Sequence, residues 1–409
     1  MDTVNNPPDF RRDATIVGLV GIAHAISHFF HLLIPPLFPW LIPAFGISFI
    51  EAGALMTAFF AVSGIGQALA GFAVDRFGTR PILLGGIAML ALAGLLLSAS
   101  DSYLMLMAVA IIAGLGNSIF HPVDFSILNK KISQDRLGHA FSMHALSGNL
   151  GWAAAPLAMT SIASLAGWRM AALFAGLLAI LVFALFYVQH SLFEEDPPKE
   201  TQNETGDPIT TKVSTYAILR SNAVYLCFIF FLLTTTASGA LQNYSATTLS
   251  AMYEVSLTRA ASCLSAYLFV AAFGILAGGF IVKWQSQEKI IAYCLSFGAF
   301  CSLILAFGLI PVWMIMPLMA IMGFGVGVAA PSRDLMVRKA ITQNLGESSY
   351  GRVYGFAYSG MDVGLALAPL IFGLFLDHGI FRALWIGIAF FFGMAVITAL
   401  QVEKRSSSN

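Results

Sequence analysis

Charge is what this 409-residue chain has least of: Asp, Glu, Lys and Arg make up 10% of it, against 58% hydrophobic residues. A soluble domain carries about 25% charged residues, so this chain cannot maintain an ordinary wet surface. A mean hydropathy of +0.81 agrees. Net charge is missing too. With 21 basic and 21 acidic residues the formal charge is zero, and nothing suggests a nucleic-acid partner. Cysteine is scarce: Cys227, Cys263, Cys294 and Cys301 lie in apolar stretches without metal-site spacing, and read as small core residues rather than disulfides. No GxxxxGKS/T phosphate loop occurs, so direct ATP drive is not expected. GFGVG at Gly323–Gly327 sits inside an apolar span, where a phosphate loop does not belong. No cleavable signal peptide is expected, because the first apolar run begins near Ala14 and is too long for one.

What the chain has instead is apolar length. A helix needs about 20 mainly apolar residues to cross about 30 Å of hydrocarbon. Such segments start near residues 14, 50, 81, 103, 137 and 168, and again near 221, 257, 289, 311, 349 and 381. The expectation is an all-α polytopic membrane protein with twelve transmembrane helices. Between the two sets lies SLFEEDPPKETQNETGDPITTKV, rich in charge, Pro and Thr, which reads as a flexible linker. The expected organisation is a six-helix bundle over 1–190, a cytoplasmic linker over 191–220 and a second six-helix bundle over 221–409. Of the 21 Lys and Arg residues, only Arg169, Arg259 and Arg382 fall on the side opposite the termini and linker. The positive-inside rule then makes both termini cytoplasmic.

The halves repeat each other. GLGNSIFHPVD, Gly114 to Asp124, matches GFGVGVAAPSRD, Gly323 to Asp334, so that Gly114, Gly116 and Pro122 fall on Gly323, Gly325 and Pro331 at one constant offset. GWAAAPL from Gly151 matches GLALAPL from Gly364, and GFAVDRFGTR from Gly71 matches GFIVKWQSQEK from Gly279. A duplicated six-span unit around a central cavity is a secondary-transporter architecture.

GFAVDRFGTR resembles the loop 2–3 signature of the major facilitator superfamily at Gly71, Asp75, Arg76, Gly78 and Arg80; Thr79 departs where a basic residue is usual. The resemblance covers almost the whole chain and implies a cytoplasmic gate in which Asp75 latches onto a basic group or helix end of the other half. Lys283 stands where the second-half copy would need the Asp. HFFHLLIPPLFP and GNSIFHPVD are further similar to the bacterial fosmidomycin-resistance group, which tends to H-F-F-N-D-x-I-P and I-F-H-P-E. Here His31 and Leu32 replace Asn-Asp, and Val123-Asp124 follows the Pro. An exporter-associated motif of the fifth span, ending G-P-x-x-G-G, reads AAPLAM. The group resemblance implies drug or metabolite efflux.

The polar residues inside the spans carry the chemistry, since ionisable groups at membrane depth are costly and face a cavity or a partner. His24, His28 and His31 share one stripe with Ser27, and Pro35, Pro36 and Pro39 follow. Three readings compete for the stripe: a cavity wall for substrate or proton exchange, helix packing, or a transition-metal site. The first is favoured, because no Cys or carboxylate lies nearby in sequence to complete a metal site. Asn117, His121 and Asp124 share a helical face, with proton exchange or a gate opposite Arg333 as readings. Arg333 sits at the position repeating Asp124, where it could bind an anionic substrate or bridge the halves. His144 and Asn149 follow in the fifth span, and Asp362 in the eleventh is the first candidate for the coupling carboxylate. Gln242, Asn243 and Tyr244, with Thr234, Thr235 and Thr236, could orient a polar solute.

The expected function is a secondary active transporter of the bacterial inner membrane. It would move a small organic solute by alternating access, coupled to protons, with a slight preference for export, and would act as a monomer. The alternatives are proton-coupled uptake of a small organic acid or metal chelate and, remotely, a membrane-embedded metal-dependent enzyme. No cofactor and no resident metal are expected.

Overall fold

The structure, a computed structural model, describes residues 10–193, 222–282, 285–345 and 350–406, and these are helical almost throughout. In chain order the α-helices are α1 (Phe10–His31), the short α2 (Phe38–Phe45), α3 (Phe49–Phe77), α4 (Thr79–Ser98), α5 (Tyr103–Asn117), α6 (Phe120–Lys131), α7 (Gln134–Ala166) and α8 (Trp168–Val188). After the linker come α9 (Asn222–Tyr253), α10 (Leu257–Ile281), α11 (Gln287–Phe307), α12 (Ile315–Leu345), α13 (Tyr350–Asp377) and α14 (Arg382–Ser406).

Among the described residues, eleven helical stretches are long and apolar enough to cross a bilayer. Together with α7 they account for the expected spans. α7 falls short on hydropathy because its middle carries His144, Ser147 and Asn149. The breaks follow local chemistry. α1 stops at His31 as the chain approaches Pro35 and Pro36, which have no N–H to continue a helix. α3 stops before Gly78, whose φ of 81° suits glycine and turns the chain into α4.

By packing, the chain divides into two units: the described residues of Met1–Ile34 with Val62–Thr201, and those of Pro35–Ala61 with Gln202–Asn409. A second crossover between units therefore falls inside α3, which the sequence reading assigned entirely to the first bundle. Three helix pairings recur in both units. In the first, α1 packs on α7, and α4 on α8 and α5; in the second, α9 packs on α13, and α11 on α14 and α12. These are the first-with-fifth, third-with-sixth and third-with-fourth pairings of a six-span repeat.

The repeated glycines mark those crossings. A Cβ on Gly151 would run into the Ala25 backbone of α1, and one on Gly364 into the Leu232 carbonyl and Thr235 of α9. Gly116 lies against the Gly86 carbonyl of α4, and Gly325 against the Phe297 ring of α11. With no water-driven force between helices in lipid, close backbone approach at small residues is what holds such pairs.

Candidate functional site

The first unit contains a polar cluster built from five histidines. His24 (3% exposed), His28, His31 and His144 are buried, and His121 is half-buried. α1 supplies three of the rings, α6 supplies His121 and α7 supplies His144. Gly148 makes room for the pair on α1: a Cβ there would meet the His24 and His28 rings. His24 lies flat on His144, with centroids 3.6 Å apart and planes 10° from parallel. His28 stacks on Trp152 at 4.2 Å. His121 stands edge-on to His24 at 5.2 Å.

Hydrogen bonds fix the state of several rings. His24 Nδ1 lies 2.8 Å from the His144 carbonyl oxygen. A carbonyl only accepts, so Nδ1 carries the proton and, in the neutral ring, Nε2 carries the lone pair. That Nε2 is buried without a hydrogen-bond partner, as is Nδ1 of His121. His144 Nε2 donates to Asp124 Oδ2 at 3.0 Å, leaving Nδ1 of its neutral ring as the unprotonated nitrogen. Asp124 is fully buried.

A second knot adjoins through His31. Asn117 Oδ1 accepts from Ser27 Oγ at 2.6 Å and from His31 Nε2 at 2.9 Å, while its Nδ2 donates to Ser63 Oγ at 2.8 Å. Asn117 thereby ties α1, α3 and α5 together. The helical ladder is interrupted after it, at Ser118 and Ile119 between α5 and α6. Pro122, four residues on, has no N–H for the Ser118 carbonyl and its ring crowds that group. Ser118 and Ile119 keep right-handed helical angles, and Asn117 reaches Ser27 and His31, His121 stands by His24 and Asp124 meets His144.

Asn149 donates to the Ala145 carbonyl of its own helix at 3.0 Å. In the second unit, Asn243 donates to the Gly239 carbonyl at 2.7 Å, and Gln242 is buried nearby on α9. Tyr244, fully buried, places its hydroxyl 2.9 Å from the carbonyls of both Phe49 and Pro369, a scaffold role. Arg333 donates from Nε to Asp334 Oδ1 at 2.8 Å and lies over the Phe231 ring. Tyr358 donates to the same carboxylate oxygen at 3.0 Å. Asp362 is half-buried on α13.

In the loop signature, Gly78 makes the turn, Gly71 has open space beside its Cα, Arg76 covers the Phe77 ring, and Arg80 is half-buried. The Asp75 side chain and linker residues 194–220 lie outside the described residues. Ser63 and Trp152 were missed by sequence reasoning. Trp152 had a signal, being the residue after the repeated Gly151; Ser63 had none, since one serine in an apolar helix looks like any other.

The sequence model for the Major Facilitator Superfamily matches residues 20–344. The chain belongs to the Major Facilitator Superfamily. It is 26% identical to the fosmidomycin resistance protein of Escherichia coli (strain K12) over 95% of this chain and 93% of that protein. It is 24% identical to multidrug resistance protein D of the same organism over 68% of this chain and 69% of the relative. Among solved structures it resembles a bacterial homologue of the human lysosomal transporter Spinster, in an inward-facing and occupied conformation. That match has a TM-score of 0.76 at 13% identity and covers 96% of this chain and 97% of the other. The nucleoside transporter NupG matches with a TM-score of 0.74 at 13% identity, over 95% and 99% of the two chains. This superfamily member is a multi-pass membrane transporter and not an enzyme.

Proposed function

We propose that this transporter moves a small organic solute across the bacterial inner membrane by alternating access, coupled to protons and in the direction of export. Both termini are cytoplasmic, a single chain suffices, and Gly71, Asp75, Arg76, Gly78 and Arg80 form the cytoplasmic gate. The observation that carries the reading is the buried cluster of imidazoles on α1, α6 and α7. A bundle this apolar has no packing need for five ionisable rings, and groups of that kind inside a membrane serve a transport path by default. His24, His28, His31 and His121 form the solute-facing wall, and Asn117 with Ser27 sets its geometry. The direction is supported by the printed names of the relatives, which speak of fosmidomycin and multidrug resistance.

The coupling group in this reading is Asp362. It lies six residues into the apolar span Phe356–Asp377, about 9 Å at 1.5 Å per residue, where a carboxylate has little reason to stand unless it is used. The test is reconstitution in liposomes with a pH-sensitive dye inside and an imposed pH gradient. The panel comprises fosmidomycin, other charged drugs, nucleosides and small organic acids. Proton flux should appear only with a transported solute, and Asp362→Asn should lose it while still exchanging solute across the membrane. Solute movement indifferent to the gradient would overturn the coupling, and inward accumulation driven by the gradient would overturn the direction.

A further inference from the structure

Three ring nitrogens, one each from His24, His121 and His144, lie within 4.8 Å of one another. They come from three different helices, so the convergence is a property of the fold and not of a local sequence motif. In two of the rings a buried nitrogen stands without a partner. His24 Nε2 and His121 Nδ1 are buried and have no hydrogen-bond partner. The third is fixed by Asp124: with Nε2 of His144 donating to the carboxylate, Nδ1 of the neutral ring holds the lone pair. A carboxylate behind a histidine, holding the ring and raising its basicity, is the usual outer-shell arrangement of a histidine that binds a metal. A buried polar atom left unpaired costs about 1–3 kcal/mol, and one cation would give both His24 Nε2 and His121 Nδ1 a partner.

We propose that His24 Nε2, His121 Nδ1 and His144 Nδ1 form a three-imidazole site for a borderline divalent transition-metal ion such as Zn²⁺, Co²⁺ or Ni²⁺, with Asp124 as a positioning residue. The donor set selects this class. Imidazole suits the later first-row ions, whereas Mg²⁺ and Ca²⁺ seek oxygen, and no sulfur donor is among the three. Three protein ligands leave a tetrahedral ion one open position.

The geometry also says what must move. Ring lone pairs lie in the ring plane, and the His24 and His144 planes run nearly parallel at 3.6 Å, so both cannot point at one ion as they stand. In a tetrahedral site with bonds of about 2.0–2.1 Å the ligand nitrogens sit roughly 3.3 Å apart, within the 4.8 Å that encloses them here. His144 is held by Asp124, so His24 is the ring that turns, giving up its bond to the His144 carbonyl. His28, stacked on Trp152, stays outside the site.

The experiment titrates Co²⁺ into the tag-free full-length protein in detergent, reading its visible ligand-field bands, with Zn²⁺ competition followed by calorimetry. One ion per chain with the spectrum of four-coordinate, nitrogen-bound cobalt is expected. His24→Ala, His121→Ala and His144→Ala should each weaken binding by more than about 100-fold, and Asp124→Asn by about 10–100-fold, while His28→Ala stays within about threefold of the parent. His121 is only half-buried, so His121→Ala keeps the test alive if a variant at a buried position fails to fold. No saturable binding, an octahedral oxygen-type spectrum, or undiminished binding by folded His121→Ala would each overturn the site. Because binding is measured without transport, its result is independent of the coupling and direction proposed above.

Discussion

The same helix crossing occurs twice in this chain, and the two copies hold different chemistry. α1 meets α7 at Gly151, and α9 meets α13 at Gly364; in both, a Cβ would strike the facing helix. In the first unit, the residues around the crossing are imidazoles, with buried nitrogens of His24 and His28 lacking hydrogen-bond partners. In the second they are threonines whose hydroxyls reach backbone carbonyls, Thr235 Oγ1 also lying 3.1 Å from the Met361 carbonyl of α13. Thr235 Oγ1 donates to the Phe231 carbonyl at 2.7 Å, and Thr236 Oγ1 to Leu232 at 2.7 Å. Duplication has kept the scaffold of backbone contacts and let the contents diverge, so that the first repeat gathers imidazoles at this crossing and the second gathers hydroxyls.

The comparison can be broken at its common part. Gly151→Val and Gly364→Val should both prevent close approach and cost at least about 3 kcal/mol each, seen as loss of folded protein on size-exclusion chromatography. If only one of them did so, the two crossings would not be structural equivalents. It is sharpened next at the asparagines. Asn117→Ala removes three interhelical hydrogen bonds and should lower stability by about 2 kcal/mol at the magnitudes found in membranes. Asn243→Ala removes a bond within its own helix and should cost about 0.5 kcal/mol. Thermal melts of the two variants in one detergent compare them directly, and equal shifts would remove the asymmetry. The smallest effect is expected at Thr235→Val, nearly isosteric, with at most about 0.5 kcal/mol lost and solute exchange unchanged. A dead transporter with a normal melt would move the solute path into the second unit as well.

The helices and the duplication were legible because both rest on long-range averages: apolar length for the spans, and recurring Gly and Pro at one offset for the repeat. The histidine stripe on α1 was legible from spacing alone. Its partners were not, since nothing in the sequence says that Trp152 will stack on His28 or that His144 will lie flat on His24. The interruption after Asn117 had a local cue in Pro122. Even that cue is incomplete: the equivalent Pro331 lies inside a continuous α12, where Gly323 and Gly327 press against the carbonyls of Tyr267 and Ala271. Packing decides between breaking and continuing, and packing is not written locally. The same holds within α3, where Thr57 donates to the Ala366 carbonyl at 2.7 Å while Ser63, less than two turns on, accepts from Asn117.

The polar middle of α7 also bears on how the chain enters the bilayer. A nascent helix is admitted to lipid according to its own apolar content, and α7 gives up part of that content to His144, Ser147 and Asn149. Its admission is therefore cooperative: α1 must already be present to take the face bearing His144 and Gly148, and α8 must follow to complete the hairpin. In a membrane-integration assay a chain cut after Ala166 is expected to integrate poorly and one cut after Val188 to integrate normally.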